Sequence, residues 1–148
     1  MIKKIIAWTT NESPTWQQLG IAIIRISFGI LFFVSGCKKL ISGSANMTQI
    51  GSAMGLFGIT QGYLLLGYIA ALTEFFGGIS FIIGFCIRIT SIPLIWLLIV
   101  ASSFHIQKGD SFHQWAFPCI CLCVTIAFLI AGSGMYSVDH RINFADQE

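Results

Sequence analysis

Four long apolar runs dominate the chain, at about residues 19–40, 63–87, 89–107 and 114–132, each long enough for a helix to cross a bilayer. Helical spacing then sorts the first two into faces. In the first run Arg25, Gly29, Phe32, Gly36 and Lys39 fall on one stripe, and its two glycines let a second helix approach closely, so the stripe faces protein. In the second run Ala70, Ala71, Glu74, Gly77, Gly78 and Phe81 share a face, which puts the only carboxylate of the run in a strip of small residues. At about 1.5 Å per residue this run exceeds the roughly 30 Å hydrocarbon layer and needs some tilt or a frayed end. The pattern predicts an all-α, antiparallel four-helix membrane bundle, one unit spanning residues 1–148.

The connections carry their own signals. Met1 to Thr15 reads as a short amphipathic or irregular lead-in, followed by Trp16 as an interfacial aromatic. Only Ile5 to Trp8 separates Lys4 from the polar Thr9 to Ser13, shorter than the apolar core of about 7 residues or more that a cleavable signal needs, so the N-terminus is expected to be retained. Residues Ile41 to Gly62 form a long first loop, expected to cap the bundle or dip into the interface. Arg88 is the one strongly polar residue between the second and third runs, which predicts a tight hairpin, and Pro93 falls in the first turns of the third helix, where a missing donor does least harm. His105 to His113 is a polar loop at the end that holds Lys38 and Lys39, and the tail after Gly132 is turn-like and then polar.

Composition agrees with a membrane protein. Of 148 residues 55% are hydrophobic and only 9% charged, with a mean hydropathy of +0.82, whereas a soluble domain carries about 25% charged residues. A net charge of +2 with no basic face excludes nucleic acid as a partner. Lys3, Lys4, Arg88 and Arg141 at the end of the termini outnumber Lys38, Lys39 and Lys108 at the other, which points to both termini in the cytoplasm. None of the five cysteines forms a Cys-x-x-Cys pair, and Cys119, Cys121 and Cys123 read as buried thiols; their spacing on one helix suits no three-thiolate metal site. His105 and His113, with Asp110 between them, also lack a compact metal spacing.

Glu74 is the residue the chemistry turns on. A charge at such depth costs ~2.5 kcal/mol or more, so its carboxylate must be neutralised, paired or wetted. Arg25 is its expected partner, across a depth difference of roughly 10 Å that two extended side chains can bridge directly or through water. In the alternative, Arg25 snorkels to the interface and Glu74 holds a proton, or Glu74 serves a cavity at the other end, where Lys38, Lys39, His105 and the first loop gather. A flat quinone head needs hydrogen-bond donors at its carbonyls and a group that takes or gives a proton; lysine, histidine and a carboxyl group supply these. The candidate ligand-binding residues are therefore Arg25, Lys38, Lys39, Glu74 and His105, with Glu74 and His105 as the proton-handling pair.

The chain resembles the DoxX family of small four-helix bacterial membrane proteins over roughly Ile24 to Asp139. The likeness rests on Arg25, Gly29, Phe33, Gly36 and Lys38, then Glu74 before Gly77-Gly78, Arg88, His105, and finally Gly132, Gly134, Ser137 and Asp139. It implies a plasma-membrane protein, tied in some members to quinone-linked sulfur oxidation, to resistance against quinones and catechols, or to oxidative-stress complexes. On that basis the expected role is redox-associated: a quinone as the ligand or cofactor, the lipid bilayer as surroundings, and soluble or membrane redox subunits as partners, with a homo-oligomer left open. No flavin, haem or dinucleotide motif is present, so electrons would come from a partner or from the substrate. A small proton-coupled transporter using Glu74, and a non-catalytic membrane scaffold, are the competing readings.

Overall fold

The structure, a computed structural model, describes residues 14–145. The expectations for Lys3, Lys4, Trp8 and the lead-in up to Ser13 lie outside the described residues. Among those described there are helices and no strand: α1 (Pro14–Leu40), α2 (Ser44–Ser52) running on into a 3-10 segment (Ala53–Phe57), α3 (Tyr63–Ile83), α4 (Ile87–Gln107), α5 (Phe112–Ala131) and α6 (Val138–Ala145). The four long helices α1, α3, α4 and α5 are each long and apolar enough to cross a membrane. They alternate in direction, so one end of the bundle carries α6 and the α3–α4 turn, and the other carries α2 and the α4–α5 loop.

The most extensive packing is α1 on α3, and the glycines of the two predicted stripes make it possible. A Cβ on Gly29 would lie 2.7 Å from the Ile82 amide nitrogen, and one on Gly36 2.5 Å from that of Phe75; both obstacles are backbone and cannot swing aside. All six residues of the small strip on α3, Ala70, Ala71, Glu74, Gly77, Gly78 and Phe81, are buried, as are Arg25, Gly29, Phe32 and Gly36 on α1. Phe81 joins the helices at the centre, edge-on to Phe32 of α1 at 6.0 Å between ring centroids and to Phe128 of α5 at 5.4 Å. Ile87, Leu94, Leu98 and Cys121 complete the apolar core.

The first connection differs from the expected loop, because Ser44–Ser52 is helical and lies across the first turns of α3. Gly51 touches the Tyr63 carbonyl and Gly67 the Met47 carbonyl so closely that neither could carry a side chain, and Met47 is fully enclosed. The Gly, Ser and Thr content that reads as loop is what allows this backbone-to-backbone contact. The helix caps that end of α3, as one of the two expected placements had it.

At the opposite end α3 stops at Gly84, and Cys86 adopts a left-handed conformation with φ of 52° before α4 begins. Asp139 holds this turn from both sides: its carboxylate accepts from the Cys86 amide at 2.9 Å, and its own amide donates to the Gly84 carbonyl at 3.1 Å. Ser137 starts α6 by accepting the His140 amide at 3.2 Å. The Ser137-x-Asp139 pattern is thus a fastening of the α3–α4 turn. Of the three clustered cysteines only Cys121 is buried; Cys119 is half-buried and Cys123 is on the outer face, so the expectation of three enclosed thiols holds for one.

Candidate functional site

Glu74 is 6% exposed and projects from the middle of α3 toward α1. Its Oε1 accepts from the Lys39 ammonium at 2.5 Å and its Oε2 from the Ser35 hydroxyl at 2.7 Å. Ser35 and Lys39 lie one turn apart on α1, so a single helix face supplies both donors. The side chain of Lys39 is 27% exposed against 8% for Glu74, so the pair is shielded at the carboxylate and reaches the surface through the amine. Both carboxyl oxygens of Glu74 thus have a hydrogen-bond partner inside the bundle.

The expected pair of Arg25 with Glu74 does not form. Arg25, 1% exposed, turns the other way and donates from Nη1 to the carbonyls of Phe81 at 2.8 Å and Ile82 at 3.2 Å, and from Nη2 to that of Tyr136 at 2.5 Å. The first two are carbonyls of the last turn of α3, where a cation is favoured both by the unpaired acceptors and by the helix dipole. Arg25 therefore caps α3 and ties the segment after α5 to α1. The reason is directional. A helical Cα–Cβ bond tilts toward the N-terminus, which carries Arg25 away from Glu74, and carries Glu74 and Lys39 toward each other.

The other expected residues separate. Lys38, next to the pair in sequence, is exposed on the outside of α1. His105 hydrogen-bonds Asp110 through Nδ1 at 2.7 Å, closing the α4–α5 loop. Leu94 packs at Gly77, which sets the register of α4 on α3 and places His105 about eight residues, or ~12 Å, beyond the level of Glu74 toward the α2 end. His105 thus sits at the α2 end of the bundle and Glu74 at the middle of α3, and the two are not one constellation. The sequence reading missed Ser35, whose signal was its i, i+4 relation to Lys39. Among the described residues no group of three His, Cys, Asp or Glu side chains converges as metal ligands would.

The arrangement offers an acid, an amine and a hydroxyl in contact, at membrane depth, beneath a capping helix. It can exchange one proton between carboxyl and amine, and it can donate hydrogen bonds to a polar group brought in from the Lys39 side. No curated protein and no solved structure matches the chain. A family model described as DoxX matches residues 20–106, more than half of the chain, and those residues hold Arg25, Ser35, Lys39, Glu74 and His105; the protein belongs to the DoxX family.

Proposed function

We propose that this DoxX-family protein serves quinone-linked redox chemistry in a bacterial plasma membrane, with the Lys39–Glu74 pair as its proton-handling site. The observation that carries the reading is the pair itself: a carboxylate inside the membrane-spanning bundle, held by one amine and one hydroxyl on a single helix face. Oxidation of a hydroquinone to a quinone releases two protons and two electrons. Glu74 accepts one proton leaving a hydroquinone hydroxyl while Lys39 and Ser35 hold the ring oxygen, and the second hydroxyl releases its proton to water on the exposed Lys39 side. The electrons pass to a redox-active partner subunit, since the chain carries no flavin, haem or dinucleotide motif of its own. Lys38 and His105 stand at the end from which the ligand enters and the protons leave. The charge bias supports both termini in the cytoplasm, and it grows once Lys39 is withdrawn into the pair, leaving Lys38 and Lys108 against Lys3, Lys4, Arg88 and Arg141.

The test is equilibrium binding of a short-chain quinone and its hydroquinone to the purified protein in lipid nanodiscs. Glu74→Gln and Lys39→Met should each weaken binding about tenfold, equivalent to ~1.4 kcal/mol. A folded wild-type sample that binds neither compound overturns the proposal. One observation favours a second reading, a proton-coupled transporter: the pair is graded in exposure, shielded at Glu74 and open at Lys39, as a site loaded from one end would be. That reading requires substrate-dependent proton flux in liposomes that disappears in Glu74→Gln. Absence of both binding and flux leaves the scaffold role.

A further inference from the structure

At the end of the bundle opposite the Lys39–Glu74 pair, a cavity of about 710 Å³ opens where the α3–α4 turn, the end of α5 and α6 meet. Its walls include Gln18, Cys86, Arg88, Ser133, Asp139 and His140. The helices end here, so the cavity lies at the level where membrane hydrocarbon gives way to headgroups.

Arg88 is the chemically unspent residue of this cavity. It is exposed, and among the described residues it donates one hydrogen bond, from Nη2 to the Ile130 carbonyl at 3.2 Å, and takes part in no ion pair. Its guanidinium lies over Gly132, 3.6 Å from where a Cβ would stand, so the glycine gives the group a bare backbone to rest on. The other N–H groups remain available to an acceptor in the cavity. Asp139, the acid among the described wall residues, accepts the Cys86 amide with a carboxylate oxygen and forms no ion pair with Arg88. The positive end of the α4 dipole faces the same space.

The rim beside Arg88 is strongly apolar. Ile89 is 70% exposed, Ile130 73% and Ile92 61%; Ile89 and Ile92 stand one residue and one turn beyond Arg88 on α4, and Ile130 carries the carbonyl that Arg88 bonds. A ligand that meets Arg88 with an anion and these isoleucines with hydrocarbon is an amphiphile with an acidic head.

We propose that this cavity is a binding site for the phosphate of an anionic phospholipid, with Arg88 as its principal donor and the Ile89–Ile92–Ile130 surface as the seat of an acyl chain. The site is independent of the pair at Glu74, and its test does not depend on redox chemistry.

The experiment is native mass spectrometry of the delipidated full chain in detergent, titrated with phosphatidylglycerol, with phosphatidylcholine, or with phosphatidylglycerol in the presence of millimolar inorganic phosphate. Phosphatidylglycerol should be retained at least about tenfold more strongly than phosphatidylcholine, and the preference should fall to near unity in Arg88→Gln. Arg88→Lys, which keeps the charge, should recover part of it. Gln18→Glu gives a second approach that leaves Arg88 untouched. An oxygen of the new side chain can still accept the Met135 amide that Gln18 holds at 2.9 Å, while the added negative charge should weaken retention of the anionic lipid. Displacement by inorganic phosphate alone would show an anion site whose ligand is free phosphate, overturning the lipid assignment. Equal retention of the two lipids, or full preference in both Arg88→Gln and Gln18→Glu, would overturn the site altogether.

Discussion

Lys39 and Glu74 meet across the α1–α3 seam because the two helices run antiparallel and each side chain leans toward its own helix N-terminus, so the last turn of α1 and the middle of α3 point their side chains at each other. The Coulomb gain of such a pair is largely offset by desolvation, so its worth lies in what it does to its members and not in net stability. Removing one partner is different, since the other is then left unpaired among apolar neighbours.

The stability of the pair is therefore best read by a double-mutant cycle. Lys39→Met alone should destabilise by ~3 kcal/mol, close to the loss expected when a buried ion pair is broken from one side. Glu74→Gln alone should cost less, because the Lys39 amine has an aqueous route from a side chain that is 27% exposed. The double variant should recover part of the loss, with a coupling of ~1 kcal/mol or more by equilibrium unfolding in detergent micelles. Additive effects would mean that the two groups do not communicate.

Arg25 should prove structural and not functional. It makes hydrogen bonds to three carbonyls on two segments, a geometry that a lysine cannot reproduce with one nitrogen. Arg25→Lys and Arg25→Met should both destabilise, by ~2 kcal/mol or more, and both should raise hydrogen exchange around Gly132 to Asp139 while leaving exchange in α2 unchanged. Equal protection of the 132–139 segment in the wild type and in Arg25→Met would remove the latch.

These residues show how far the sequence carried the reading. The spans, their alternation and the buried stripes on α1 and α3 were legible, because apolar length and helical period act locally and lipid leaves few alternatives. The partner of Glu74 was not, because spacing says which residues share a face but the tilt of the Cα–Cβ bond decides which of two cations, Arg25 below or Lys39 above, leans toward the acid. The helix at Ser44–Ser52 was hidden for a related reason: its glycine and serine content reflects close contact with α3, which no single-chain pattern separates from a loop. His105 and Glu74 looked like one site because both were assigned to the α2 end, and only the register of Leu94 on Gly77 sets them ~12 Å apart.

Two glycines of α1 should respond oppositely to the same change. A methyl group on Gly36 would press against the backbone of Phe75 at 2.5 Å and so push α1 off α3, whereas Gly20 has nothing within 4 Å. Gly36→Ala should destabilise by ~1–3 kcal/mol, as overpacking does. Gly20→Ala should be neutral or stabilise by ~0.5–1 kcal/mol through reduced backbone freedom in the unfolded chain. Thermal unfolding of the two variants beside the wild type gives the comparison directly. A Gly36→Ala protein as stable as the parent would show that the helices have room to spare.

The α3–α4 turn offers the last test, because strain and restraint there can be separated. Cys86 holds a φ of 52°, a left-handed conformation that costs a residue with a Cβ about 1–2 kcal/mol, and glycine adopts it freely. Cys86→Gly should therefore stabilise the protein by up to ~1 kcal/mol, the gain being trimmed by the greater freedom of glycine in the unfolded chain. Asp139→Ala removes the carboxylate that accepts the Cys86 amide at 2.9 Å and should destabilise by ~1–2 kcal/mol. If Asp139 acts by keeping Cys86 in its strained state, Cys86→Gly should restore much of the loss in the double variant, because the turn no longer has to be forced. If the two effects simply add, the Asp139 carboxylate is fastening α6 to the bundle independently of the backbone it caps, and the hydrogen bond from the Asp139 amide to the Gly84 carbonyl at 3.1 Å is enough to hold the turn.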